Sequence, residues 1–238
     1  MAEEQFEALR PRFFGRRQGR PLTALRRDAM ATLLPRVAIP LPEPGKIIAP
    51  FALFPVQPRA VWLEIGFGGG EHLATQAKTN PDIGFIGCEV FLNGVASLLN
   101  HLETGGVGNN VRVFSQDARL LLPALQEASI ERMFVLFPDP WPKKRHAERR
   151  FIGPDNLPLI SRLLADGGIL RVASDQDHYI AWALEHVLAH PDFELLAHHT
   201  ARPPDWPPTR YEQKALRQGV SCDYLEFKRR SNTSLRMT

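Results

Sequence analysis

The run Phe137-Pro138-Asp139-Pro140-Trp141-Pro142-Lys143-Lys144-Arg145-His146 sets one carboxylate, one indole and a row of cations in fixed order. Phe137, Asp139 and Trp141 each precede a proline. Proline fixes its own φ and pushes the preceding residue toward extended backbone, so the loop is expected to be stiff. An indole can stack on a nucleobase, cations neutralise phosphates, and a carboxylate stabilises positive charge that develops beside it. The pattern fits a site that holds a base flat for reaction. A Trp141 that caps the core beneath the loop fits the residue equally well.

Further acids fall at comparable places. Five short apolar runs end at Glu64, Glu89, Asp117, Asp139 and Asp175. The first continues as Gly66-x-Gly68-x-Gly70, where glycine lets the backbone turn sharply and approach a ligand. A dinucleotide fingerprint needs glycine at position 71, but Glu71 stands there, and an acid at a helix N-terminus opposes a pyrophosphate. A ligand without phosphate, such as S-adenosylmethionine, suits this turn better. Glu89 can accept hydrogen bonds from both hydroxyls of a ribose. Asp117 suits an adenine amine or, equally, the N-cap of the next helix. Thr209-Arg210-Tyr211-Glu212 reads as a capping box, or as a loop end that delivers polar groups to a purine edge.

These residues need a scaffold that gathers strand ends. From Ala60 onward strand and helix signals alternate: strands at 61–65, 83–89, 111–115, 132–137, 168–173, 193–199 and 222–228, and helices at 71–78, 92–103, 118–127, 155–164 and 178–190. Gly167-Gly168 reads as the C-terminal stop of the fourth of those helices. Such alternation predicts an α/β protein with an open, mostly parallel sheet and helices on both faces, which binds ligands beyond the carboxyl ends of its strands. Residues 1–59 are read as a basic, proline-rich and partly disordered extension, with a short helix near 23–34, and residues 60–238 as the α/β domain.

The chain has 238 residues and a net charge of +3, unevenly spread. Residues 10–20 hold five arginines and no acid, and residues 143–150 hold two lysines and three arginines against one glutamate, so the remainder is acidic. Two basic stretches suit a phosphate-binding face, although residues 10–20 alone fit a solvated tail as well. No apolar run is long enough to span a bilayer, and no signal peptide is expected. Cys88 and Cys222, without a CxxC, argue for a reducing, cytoplasmic setting and against structural zinc. The histidines form no ligand spacing, so no metal is expected. Monomer and homodimer both stay open.

LEIGFGGGEHL (63–73), GCEVF (87–91), FPDPWPKKRH (137–146), ASDQDHY (173–179) and TRYEQKA (209–215) occur in this order. Together they resemble the signature blocks of bacterial tRNA (guanine-N7)-methyltransferases. The first two blocks are shared with S-adenosylmethionine-dependent methyltransferases at large; FPDPWPKKRH and TRYE are specific to this family. The resemblance implies a Rossmann-like, seven-stranded class I methyltransferase fold and methylation of guanine 46 in the tRNA variable loop. It implies that Glu64, Gly66, Gly68, Glu89, Asp117 and Asp139 line the donor pocket. It further implies that Lys143, Asp175, Thr209, Arg210, Tyr211 and Glu212 meet the substrate, that Arg145, Arg149 and Arg150 lie against the tRNA, and that Asp139 is the catalytic group. Without it, the same acids would serve methylation of a small molecule, and a non-catalytic RNA-binding protein is a further reading. The missing third glycine disfavours a dehydrogenase.

Overall fold

The computed structural model describes residues 16–231, so Arg10 and Arg12 of the first basic stretch lie outside the described residues. Seven strands form one sheet: β1 (Ala60–Ile65), β2 (Ile83–Cys88), β3 (Val111–Phe114), β4 (Ile130–Leu136), β5 (Leu164–Ser174), β6 (Phe193–His199) and β7 (Asp223–Arg229). Their order is β3-β2-β1-β4-β5-β7-β6, and β7 alone runs antiparallel to its neighbours. β1 and β2 are buried along their whole length, as continuous apolar runs in the middle of a covered parallel sheet must be.

The helices are α1 (Ala24–Thr32), α2 (Leu34–Val37), α3 (Glu71–Thr79), α4 (Leu92–Gly105), α5 (Ala118–Leu121), α6 (Leu157–Leu163), α7 (Asp177–Ala189) and α8 (Arg210–Arg217). The sheet divides the core into two apolar clusters. One gathers Leu63, Met133, Val172 and Tyr179; the other gathers Trp62, Phe85, Leu98, Phe134 and Trp206. Successive strand side chains point to opposite faces, which is why neighbours such as Trp62 and Leu63 belong to different clusters. Residues 16–59 pack on the same body. Ala29 and Val37 are buried in the second cluster, Ile39 donates to the Val113 carbonyl at 2.8 Å, and Ile48 donates to that of Ala124 at 2.7 Å.

Three local expectations differ from what is observed. The helix expected over 118–127 stops at Leu121 and tightens into a 3₁₀ turn, Leu122–Ala124, because Pro123 has no N–H to continue the ladder. Gly167 and Gly168 lie inside β5, where its register with β4 shifts; α6 ends earlier, at Leu163. The third concerns the proline-rich loop. Phe137 and Trp141 adopt φ of +50° and +41°, not the extended backbone usual before proline. Two left-handed non-glycine residues flanking Asp139 make a strained loop that its surroundings must hold.

Candidate active site

The carboxyl ends of β1, β2 and β4 open into a cavity of about 510 Å³, lined among others by Gly66, Gly68, Glu89, Asp117, Asp139, Trp141, Arg149, Arg210 and Tyr211. This size suits a small-molecule ligand. Residues far apart along the chain thus share one concavity at the strand ends.

Glu89 follows β2 directly and is buried. Its carboxylate accepts from the Gly68 and Phe91 amides, each at 2.8 Å, so it ties the glycine turn to the start of α4. Burial raises its pKa above the ordinary glutamate value, and the amide hydrogen bonds pull it part of the way back. The turn itself is open for a ligand: Gly66 has φ +71°, and a Cβ built there would meet nothing within 4 Å. Asp117 takes the expected N-cap position and also borders the cavity. It caps α5 by accepting from the Arg119 amide at 3.0 Å and pairs with the Arg119 guanidinium at 2.6 Å.

Asp139 stands at the cavity mouth, exposed to its open space yet surrounded by enough protein that desolvation raises its pKa. Trp141 carries the Arg149 guanidinium over its ring, 5.0 Å from the centroid, and meets His146 edge-on at 5.8 Å. Tyr211 comes over the glycine turn; a Cβ on Gly68 would lie 3.0 Å from its Cε2. Burial raises the Tyr211 pKa, and the nearby Glu89 charge adds to this.

Several expected site residues stand elsewhere. Glu64 does not line the cavity: the alternation of β1 aims Ile65 there and turns Glu64 to the other face, where its buried carboxylate meets His72 Nδ1 at 2.7 Å. Arg150 is buried and turned inward. It donates to the Pro140 and Trp141 carbonyls at 3.1 and 3.0 Å and stacks over Trp182 at 4.5 Å, so it ties down the loop and is not free to contact RNA. Glu212 is buried inside a complete capping box. It accepts from the Thr209 amide, from Tyr224 Oη at 2.6 Å and from Arg202 at 2.9 Å, while Thr209 Oγ1 accepts from the Glu212 amide. Thr209 and Glu212 therefore fix the helix that carries Arg210 and Tyr211. Asp175 is half-buried beyond β5, and Lys143 and Arg145 are exposed; none of the three lines the cavity.

Arg16, from the first basic stretch, also lines the cavity, and so do residues that carry no signal in the sequence: Arg26, Asn93, Gly94, Arg119 and Asn156. Asn93 holds the N-terminal segment across the start of α4, accepting from the Gly19 amide and donating to the Arg20 carbonyl, each at 2.8 Å. Gly94 allows that helix to touch the glycine turn, because a Cβ there would stand 2.2 Å from the Gly68 carbonyl oxygen. Nothing in their spacing marks these residues. The packing of α4 against the turn brings in Asn93 and Gly94, and the others come from the elements that carry Arg26, Arg119 and Asn156 to the same cavity.

Known proteins resemble this chain at two levels, sequence and fold. Residues 58–223 match the family model described as "Putative methyltransferase". The chain is 57% identical over 230 residues to the tRNA (guanine-N(7)-)-methyltransferase of Paramagnetospirillum magneticum, covering 94% of this chain and 95% of that protein. It is 50% identical over 225 residues to the protein of the same name from Rhodospirillum rubrum, covering 92% and 88%. Among solved structures, the 16S rRNA methyltransferase KamB matches 74% of this chain and 90% of its own, with a TM-score of 0.56 and 16% identity. That likeness bears on the fold, a Rossmann-like class I methyltransferase sheet.

Proposed function

The chain belongs to the tRNA (guanine-N7)-methyltransferase family, and from that premise we propose that it methylates N7 of guanine 46 in the variable loop of tRNA with S-adenosylmethionine as donor. The observation that carries the reading is the single cavity in which Glu89 and Asp139 face Arg149, Arg210 and Tyr211. An acid-lined glycine turn and a cationic rim in one concavity can serve a sulfonium donor and a nucleic acid together. The open space at Gly66 and the buried Glu89 carboxylate fit the donor. When bound, the donor supplies an electrophilic methyl group.

Guanine N7 carries a free lone pair, so no side chain needs to remove a proton from it. The protein's task is to align the two partners and to stabilise the positive charge that passes to the purine. Asp139, at the mouth, is suited to orient the guanine edge or the donor's amino group and to face that charge. Glu89 would accept from the donor's ribose hydroxyls, and Asp117 would meet its adenine. Tyr211 and Arg210 border the guanine, with Trp141 as a stacking surface. Arg149, with the exposed Lys143 and Arg145, meets phosphates on the RNA's approach. Arg150, Thr209 and Glu212 support these groups from beneath, and Glu64 holds the first helix after the turn through His72. The two cysteines are free and buried, in keeping with a cytoplasmic enzyme.

The test is methyl transfer from labelled S-adenosylmethionine to an unmodified tRNA transcript. Asp139→Ala is expected to lower kcat on the order of a hundredfold, the scale of losing one preorganised electrostatic group. Donor affinity should change far less. Near-normal turnover in the variant would exclude Asp139 as the group that faces the developing charge.

A further inference from the structure

A buried cation on the far side of β5 bears on the same cavity. Arg171, 5% exposed, projects from β5 onto the face opposite Val172. Its guanidinium lies 4.8 Å from the Trp206 ring centroid and 6.0 Å from that of Phe134. Its Nη2 donates to Asp205 at 2.5 Å and lies 3.3 Å from Glu226 on β7. Trp206, itself 2% exposed, donates from its indole to the same Glu226 at 3.2 Å. Gln76 of α3 reaches the Asp205 carbonyl at 3.4 Å, and Arg202 donates to the Trp206 carbonyl while pairing with Glu212.

These contacts seize one short arm, residues 202–209, that contains Pro203, Pro204, Pro207 and Pro208. Four prolines leave it little internal freedom, so its orientation passes to the next element of the chain. That element is α8, whose first two residues, Arg210 and Tyr211, are cavity wall. Stability alone does not account for Arg171. A buried ion pair is often no more stabilising than a well-packed apolar side chain, and Nε and Nη1 of this guanidinium are buried without a hydrogen-bond partner. A methionine would fill the gap between Trp206 and Phe134, but it would not select where Asp205 sits.

We propose that Arg171 is a positioning residue which, through Trp206 and Asp205, clamps the proline-rich arm and so sets the placement of Arg210 and Tyr211 for the substrate. The inference rests on the reading of the cavity as a tRNA methylation site, but the clamp has a readout of its own. In the full-length protein, Arg171→Met should speed amide hydrogen exchange in residues 202–212 while the exchange of β1 and β4 is unchanged. It should raise the KM for tRNA about tenfold, with donor affinity retained. Arg171→Lys should recover part of both effects. Because Arg210 would already be misplaced, Arg210→Ala should cost less in the Arg171→Met background than in the native one.

Trp206→Phe, which keeps the buried bulk but loses the bond to Glu226, should repeat the exchange pattern in milder form and decides the matter if Arg171→Met fails to fold. Unchanged exchange in the arm, or fully additive losses in the double variant, would overturn the proposal. Absence of tRNA methylation by the native protein would instead sink the functional reading, and the exchange data would still judge the clamp.

Discussion

Replacing Arg150 by alanine separates a loop anchor from an RNA contact. Arg150 is 8% exposed, gives two hydrogen bonds to the backbone of the proline-rich loop, and lies over Trp182. Hydrogen bonds from a charged donor are each worth about 1.5–3 kcal/mol and a desolvated cation–π contact about 2 kcal/mol. These do not add fully, since His178 also reaches the Pro140 carbonyl, at 3.4 Å, and water can enter the gap; about 3 kcal/mol is a fair net figure for the tie. Against it stand the left-handed Phe137 and Trp141, each costing roughly 1–3 kcal/mol. Removing the tie should let the loop relax and carry Asp139 away from its working position. A loss of about 3 kcal/mol corresponds to a fall in kcat on the order of a hundredfold. The assay is single-turnover methyl transfer at saturating tRNA, with donor binding followed by calorimetry. Arg149→Ala serves as the contrast and should raise the KM for tRNA more than it lowers kcat. The reasoning fails if Arg150→Ala leaves kcat intact and only lowers the slope of log affinity against log salt by about one, the signature of a lost phosphate contact.

Gly94→Ala should abolish donor binding and destabilise the fold by about 1–3 kcal/mol through overpacking, because the new methyl would strike the Gly68 carbonyl; thermal melts and a donor titration read both. Glu212→Gln should lower the melting temperature, since it leaves Arg202 without its carboxylate and weakens a buried hydrogen bond to Tyr224; an unchanged melt would mean α8 is held by other contacts. Acidification should weaken donor binding before an ordinary carboxylate would titrate, because burial raises Glu89 above 4.5 and the proposed donor contact needs its ionised carboxylate. For folding the sign reverses: a carboxyl with a raised folded pKa favours the folded state while protonated, and that contribution is lost as pH rises through the raised value. Donor affinity measured from neutral pH downward should therefore fall early in the native protein and later in Glu89→Gln.

The parallel sheet and its acidic rim were legible because each acid closes an apolar run, and strand ends in such sheets converge. Legibility stopped where side-chain parity decides. Glu64 and Ile65 are neighbours, yet only one can face the cavity, and the pleat assigns Glu64 to the other side. Arg149 and Arg150 look alike in a basic run; the turn that ends at Arg149 sends the first outward over Trp141 and the second inward to the loop carbonyls. The capping box at Thr209 and Glu212 was readable from spacing alone, but its burial beneath Tyr224 depends on where β7 lies. The pre-proline rule misled at Phe137 and Trp141, because the anchored loop holds a backbone that a free peptide would avoid.

The most direct test of the account is to incubate the purified protein with labelled S-adenosylmethionine and an unmodified tRNA transcript, and then to map the label by base-specific cleavage. The account predicts one 7-methylguanine per molecule, at position 46. Label at another base or another atom, or none with protein that is folded and binds the donor, would contradict it.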